Sequence, residues 1–369
     1  DVFQYICQSL DTITQTAILV LIGQRRTGKT SILQQLPAHL DAARYLPVFI
    51  DGNGLGIDPG MDNFFLSLME DITLGLERAG FDLARVDPQV LGDSPQRYFD
   101  HRFLREVRAL IGDRTLLLTI DEFEELGARV QSGALPESVF SYVRHLIQHG
   151  EQLAFIFAGT HRIEEMIGDY WSVLFNSSIY RRIGFLEDAA VRRLVTEPVQ
   201  GEGVQYDDLA VQEIVRLTAG HPYFTQLLCH VLVNRCNDDE RNYVTIQSVR
   251  EALDELLQLG RTHLTYVWNT SGEVTRLCMA ALAELRARMD QVTAAAIANR
   301  LGEYGVDLSQ GQVHRAMATL VARDLVVEEQ GMPTSYSLTA QLYAHWLRRY
   351  RRLSRVVEES EQRVDGLAI

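Results

Sequence analysis

The chain has 369 residues, 46% of them hydrophobic, and a formal net charge of −14 from 49 acidic and 35 basic side chains. That length allows two or three domains with sizeable cores, while the lack of any run of about 18 apolar residues excludes a membrane-spanning helix. The acidic balance argues against sequence-independent nucleic-acid binding, which depends on neutralising phosphate, and the scattered Cys7, Cys229, Cys236 and Cys278 form neither a disulfide framework nor a metal-ligand spacing, so they read as core thiols of a reducing cytoplasm.

The opening stretch "DVFQYICQSLDTITQ" has no basic region ahead of an apolar one and is not a signal peptide. It lacks a Met start, begins amphipathic in mid-helix, and reads as the start of a fragment. "AILVLI", 17–22, is a continuous apolar run and predicts a strand buried on both faces. "GQRRTGKTS", 23–31, follows it. The spacing Gly23-x4-Gly28-Lys29-Thr30 fits the phosphate-binding loop G-x4-G-K-[ST], and "KTSILQQL" continues as a helix until Pro37. In that strand–loop–helix setting the backbone N–H groups of Gln24, Arg25, Arg26, Thr27, Gly28, Lys29 and Thr30 would wrap a β-phosphate, backed by the helix dipole. Lys29 would reach the β- and γ-phosphates, and Thr30, beside Ser31, would ligate Mg²⁺. Among the 35 basic residues Lys29 is the only lysine. Its compact charge on a flexible stem is not reproduced by the planar fork of arginine.

"LPVFID", 46–51, predicts a second strand. The loop "DGNGLGIDPGMD", 51–62, partly matches a calcium loop, but Leu55 occupies a ligand position and Asp62 replaces the bidentate Glu, so it reads as turn chemistry near the nucleotide edge. "LLLTID", 116–121, predicts a central strand that delivers Asp121 to the C-terminal sheet edge, where open α/β sheets bind ligands. Asp121 would hold Mg²⁺ through water, and Glu122 would polarise an attacking water. Glu124 and Glu125 read as a solvated helix face, as do His145 and His149. "LAFIFAGT", 153–160, is a fourth strand, followed by His161 and Arg162, and "IYRRIGFL", 179–186, a fifth. Strands alternating with helices imply a parallel sheet covered on both faces. A further strand between the loop strand and the acid strand in sequence suits the P-loop class with an extra central strand and a catalytic Glu.

From Glu187 the pattern becomes helix after helix. "YDDLAVQEIVRLTAG" ends at Gly220 as a helix cap, and "GHPYFTQLLCHVLVNRC" begins with Pro222 at the tolerated first helical position. From about residue 272, three helices precede "VVEEQGMPTSYSLT", two short strands around a Gly–Pro turn, which is the order of a winged helix. Its third helix offers mainly Arg315, Arg323 and His314, and its wing carries Glu328 and Glu329. So poorly basic a face favours packing or protein contact over DNA reading. The final helix, "AQLYAHWLRRYRRLSR", carries Arg348, Arg349, Arg351, Arg352 and Arg355. It reads as a solvated, partner-facing end, or more sharply as a patch for nucleic acid or an acidic partner.

"LIGQRRTGKTSIL", "LLLTIDEFEEL", "FIFAGTHR" and "TAGHPYFTQLL", in this order before a winged helix, resemble the STAND class of signal-transduction P-loop ATPases, whose AAA-like core is shared with NOD-like receptors. The resemblance spans about residues 17–350. It implies an α/β P-loop NTPase (ASCE/AAA-like) with its parallel sheet in 1–186, a helical lid in 187–268, a winged-helix domain in 269–350 and a C-terminal tail in 351–369. It implies ATP or ADP with Mg²⁺ as cofactors and slow hydrolysis, with Lys29, Asp121, Glu122 and Arg162 as the catalytic group. By the same resemblance Arg162 senses the γ-phosphate, Thr160 holds the preceding sensor position, and His221 and Pro222 of the Gly-His-Pro motif lie at the adenine. His345 is a candidate for an ADP-holding histidine. Arg181 and Arg182 stand where oligomeric relatives place an arginine finger; a pair gripping acidic neighbours is the alternative. The expected behaviour is a homo-oligomer when ATP-bound, with effector and sensor domains outside this stretch and no membrane, in bacterial defence or regulated signalling. The other readings are an origin-recognition-like DNA-binding ATPase and a metabolic kinase, the last disfavoured because no acceptor-substrate domain appears.

Overall fold

The apolar runs become five parallel strands: β1 (Ile18–Ile22), β2 (Tyr45–Asp51), β3 (Thr115–Asp121), β4 (Leu153–Gly159) and β5 (Ile179–Arg182). The computed structural model describes residues 2–12, 18–86, 94–160 and 179–366. Spatial order is β2-β3-β4-β1-β5, so β4 is the strand inserted between the loop strand and the acid strand. Side chains alternate along each strand, and both faces are covered. Val20, Ile50, Leu118 and Phe157 point into a core shared with the helices Met61–Arg78 and Ser138–His149. Leu19, Leu21, Leu117 and Ile156 point the other way, toward Ile6 and Leu10 of the helix Val2–Thr12 and Leu33 of the helix Lys29–Gln35. This is why β1 and β4 read as unbroken apolar runs rather than alternating ones.

The strand ends are in register at the C-terminal edge: Ile22 lies opposite Gly159, and Asp51 opposite Asp121. After Asp51 the chain turns on its own side chain, whose Oδ1 accepts from the backbone and side-chain amides of Asn53 at 2.9 Å each. Among the described residues no acid–histidine–cysteine cluster suited to a metal forms there or elsewhere. His145 and His149 lie exposed on their helix, as read from the sequence.

The fifth strand is shorter than its sequence pattern. One more ladder bond, from the Ile183 amide to the Ile22 carbonyl at 2.7 Å, ends its pairing with β1. The chain divides at that point into two compact units, Asp1–Ile183 and Gly184–Ile369. Phe185 and Leu186, predicted as strand, belong to the second unit, where the Leu186 amide donates to the Gly220 carbonyl at 2.9 Å and Phe185 packs on His221.

The second unit is helical. The helices Asp188–Thr196, Asp208–Thr218 and Pro222–Asp238 come first, and Glu273–Leu285, Ala294–Gly302 and Gln310–Ala322 follow a set of shorter ones. A two-stranded antiparallel hairpin, Val326–Glu329 with Ser335–Leu338, comes next. One buried cluster runs from Val191 to Val357 through all of these. The last predicted helix is two helices, Gln341–Tyr350 and Leu353–Gly366. Arg351 leaves helical geometry at the break (φ −137°, ψ 52°) and lays its guanidinium over the rings of Trp268 and Trp346. All four cysteines are free, with Cys236 and Cys278 buried and Cys7 and Cys229 partly so; burial pushes the Cys229 thiol up to about 11 and that of Cys278 up to about 12. Among the described residues no helix is long and apolar enough to cross a membrane.

The helix Asp208–Thr218 is capped by Ala219 in the left-handed region, and Gly220 follows with φ 76°. A Cβ on Gly220 would sit 2.0 Å from the Leu186 carbonyl oxygen. Gly220→Ala is therefore expected to lower stability by about 1–3 kcal/mol through backbone strain and displaced pairing. Urea unfolding followed by circular dichroism checks this; a midpoint equal to the parent's would contradict it.

Candidate functional site

The loop 23–28 leaves β1 at the C-terminal edge, anchored by the Gly23 amide on the Gly159 carbonyl (3.1 Å). It turns through two left-handed residues, Arg26 (φ 67°) and Gly28 (φ 98°), and Gly28 is the residue before the helix Lys29–Gln35. Thr27 is buried and its hydroxyl donates to the Gln24 carbonyl at 2.9 Å. Lys29 is 5% exposed, and its Nζ donates to the carbonyls of Gly23 (3.0 Å) and Gln24 (2.7 Å). Arg25, Arg26, Thr30 and Ser31 are exposed beside it.

The acid strand meets this loop. Thr30 Oγ1 donates to Asp121 Oδ2, while Asp121 Oδ1 accepts from the Glu122 amide at 3.0 Å. Asp121 is 4% exposed at the end of β3. These contacts bring together the two side chains assigned to Mg²⁺, a hydroxyl and a carboxylate, both hard oxygen donors suited to that ion. Glu122 has φ 46°, a region that non-glycine residues seldom occupy and that recurs at functional sites. Its carboxylate lies 3.7 Å from Arg25 Nε.

The electrostatics centre on Lys29. Burial pushes its ammonium below the ordinary lysine range, against the opposing pull of Glu124, Glu122 and Asp121. Burial also pushes the Glu122 carboxyl up, reinforced by Glu124 and Asp121 and opposed by Arg25 and Lys29. Lys29 is thus a buried cation among three carboxylates, beside the hard oxygen donors of Thr30 and Asp121.

Glu124 corrects the sequence reading. It is not on a solvated face: it is 5% exposed, and its Oε1 accepts from the Thr160 amide (3.0 Å) and hydroxyl (2.7 Å). The other carboxylate oxygen, Oε2, is buried with no hydrogen-bond partner among the described residues. Glu124 thus fixes Thr160, itself buried at the end of β4, against the acid strand. The sequence carried one usable signal, a buried sensor-position threonine that needs an acceptor, but nothing in the run Glu122–Glu125 says which carboxylate supplies it.

Arg162 lies outside the described residues. Arg181 has its guanidinium carbon 4.7 Å from the centre of the Tyr5 ring. In the second unit Pro222 opens its helix as expected, and His221 is fully buried among Phe185, Phe224 and His263, with ring centres 4.8, 4.8 and 5.2 Å away. His345 is half-buried, its pKa lowered by burial and by Arg348 and Arg216, with Glu213 opposing. Arg323, one of the three groups offered by the third helix of the hairpin motif, is 7% exposed and donates to Thr270 Oγ1 (2.7 Å) and Ser271 Oγ (2.8 Å). His314 pairs with the Tyr336 hydroxyl at 3.0 Å. His314 and Arg315 are both exposed, and of the three Arg315 alone is not drawn into these bonds.

Residues 12–167 match the family model described as an AAA domain. The first unit has the fold of an AAA-like P-loop domain. Over nearly the whole chain the fold is similar to that of the Walker-type ATPase of Pyrococcus abyssi, at a TM-score of 0.66 and 17% identity, covering 94% of each chain. It is also similar to the ORC2 protein of Aeropyrum pernix in its ADPNP–ADP complexes, at a TM-score of 0.62 and 12% identity, covering 99% of this chain and 94% of that one. At such identities the likeness is one of fold. Comparison with curated proteins finds none that matches.

Glu124→Ala would leave two buried donors of Thr160 without their acceptor. A loss of about 1–3 kcal/mol is expected, with a smaller loss for Glu124→Gln, which keeps a carbonyl acceptor. Thermal and urea unfolding of the three proteins check the order; equal stabilities would contradict it.

Proposed function

We propose that this chain is the nucleotide-driven core of a STAND-type switch, one that binds ATP with Mg²⁺, hydrolyses it slowly, and changes domain arrangement and assembly as ADP is exchanged for ATP. The observation that carries it is the convergence of Lys29, Thr30, Asp121 and Glu122 at one sheet edge, with Thr160 held there by Glu124. Lys29 and the loop amides bind the β- and γ-phosphates. Thr30 and Asp121 would hold Mg²⁺, which would supply positive charge to offset that of the phosphates. Glu122 takes the proton of the attacking water, and its raised pKa brings its basicity nearer to neutral pH. Thr160, and Arg162 beyond it, read the γ-phosphate. The family resemblance assigns His221 and Pro222 to the base. Oligomerisation in the ATP state, with effector and sensor domains beyond this stretch, belongs to the same proposal.

The second reading is an origin-recognition-like DNA-binding ATPase, favoured by the fold shared with ORC2 over both units. Two observations weigh against it. Arg323 is consumed in packing, and the hairpin presents Glu328 and Glu329, the latter accepting from Ser335 and Ser337. On this helix and hairpin few groups remain to read base edges.

Two outcomes are expected. An amine-reactive reagent will label one side chain, Lys29; its modification will set in at a lower pH than for an exposed lysine because burial depresses the ammonium. Mg-ATP will protect it, and Lys29→Ala will abolish ATP affinity with the fold retained; labelling blind to nucleotide, or unchanged affinity, overturns the assignment. Separately, Glu122→Gln will retain ATP yet slow turnover by about 10²-fold or more. The parent's kcat/KM will fall on acidification from above the ordinary carboxylate range, since the Glu122 pKa is raised, and this limb will vanish in the variant. Hydrolysis at the parent rate in Glu122→Gln would place the base elsewhere.

A further inference from the structure

A cavity of about 260 Å³ opens in the second unit, where the helix Gln341–Tyr350 breaks before Leu353–Gly366. Its lining includes Arg348, Arg351 and Arg352, together with Glu284, Tyr304 and Ser354. The charges here are sorted. Arg349 and Arg355, which do not line the cavity, are paired with Asp254 and with Glu359. The three arginines that do line it have no carboxylate partner among the described residues, in a chain whose net charge is −14. The one acid of the lining, Glu284, is already held by Arg300 at 2.5 Å and Arg288 at 3.1 Å.

The arginine at the centre is fixed in place. The guanidinium carbon of Arg351 lies 5.6 Å from the ring centres of both Trp268 and Trp346, and its Nε is buried with no hydrogen-bond acceptor among the described residues. Stacking on aromatic rings restrains the planar fork before any ligand arrives. The cavity also adjoins the first turn of a 14-residue helix at Leu353 and Ser354. Helix N-termini present unpaired N–H groups and the positive end of the dipole.

We propose that this cavity binds a small phosphate monoester. Three guanidinium forks offer more donors than a single carboxylate can accept, whereas a phosphate monoester brings three terminal oxygens and nearly two negative charges. Ala280, Leu347 and Leu353 supply apolar wall for a compact carbon body. The volume is below the roughly 300–1,000 Å³ of pockets for drug-sized ligands, which fits a small metabolite rather than a polymer. The site lies wholly within the second unit and does not depend on the phosphate loop.

Isothermal titration of the full chain with glycerol 3-phosphate, and with glycerol as the uncharged control, tests this. Binding with Kd at or below about 1 mM is expected for the phosphate ester alone. Arg348→Gln with Arg352→Gln, both at exposed positions, will weaken it by about tenfold or more, and Arg351→Gln will abolish it. Lys29→Ala will leave it unchanged, which separates it from the phosphate loop. Thermal unfolding of each variant checks that the fold is intact. Absence of binding, equal affinity in the double variant, or loss in Lys29→Ala would each overturn the assignment. So would duplex DNA that binds through these arginines while glycerol 3-phosphate does not.

Discussion

Lys29 holds its ammonium against the carbonyls of Gly23 and Gln24, buried beside Asp121, Glu122 and Glu124. A buried ammonium is costly unless hydrogen-bonded and compensated. The loop meets that condition only because β1 and β3 end level, with β4 between them. The glycine-containing turn, the helix start and the acid strand must therefore converge on one point. A planar guanidinium could not make the same compact contact with two successive loop carbonyls, which gives a physical reason for one lysine in a chain with 35 basic residues.

That convergence was largely legible in the sequence. The five strands, the loop and the acid pair follow from apolar runs and a spacing that needs glycine and lysine at fixed offsets. Spatial order was not legible, because parallel strands of equal apolarity carry no label for their neighbours, and β4 lies between β1 and β3 only in three dimensions. Glu124 was hidden for a related reason. In "DEFEEL" the sequence presents Glu124 and Glu125 alike as a solvated face, and only contact with Thr160, 36 residues on, shows that Glu124 is buried. Arg323 misled in the opposite direction. Composition gives its charge, but its position after the last turn of the helix Gln310–Ala322 turns it into the Thr270–Ser271 bend rather than outward. The same holds for the arginine run 348–355, where burial and pairing separate residues that the sequence presents as equivalent.

The second unit has a different physical logic. Its helices and hairpin share one continuous core, with Trp268 packed on Trp346 at 6.1 Å, so the segments read as lid and winged helix are joined by packing. On the proposed function, nucleotide exchange has to act on such cooperative bodies as wholes, since close-packed interiors do not deform gradually. A nucleotide can shift that balance only by its differential affinity for the two arrangements. The γ-phosphate is the difference between ATP and ADP, and on the proposed function Thr160, held by Glu124, is one of the groups that would feel it.

The most direct measurement is small-angle X-ray scattering with in-line light scattering on the full-length protein, loaded with ADP and then with a non-hydrolysable ATP analogue and Mg²⁺. If the loop sets a switch, the two states will differ in domain spacing or in assembly mass, and Arg162→Ala will diminish that difference more than it weakens either affinity. Identical profiles in both nucleotides, together with fast DNA-stimulated hydrolysis, would contradict the switch and support the DNA-binding reading.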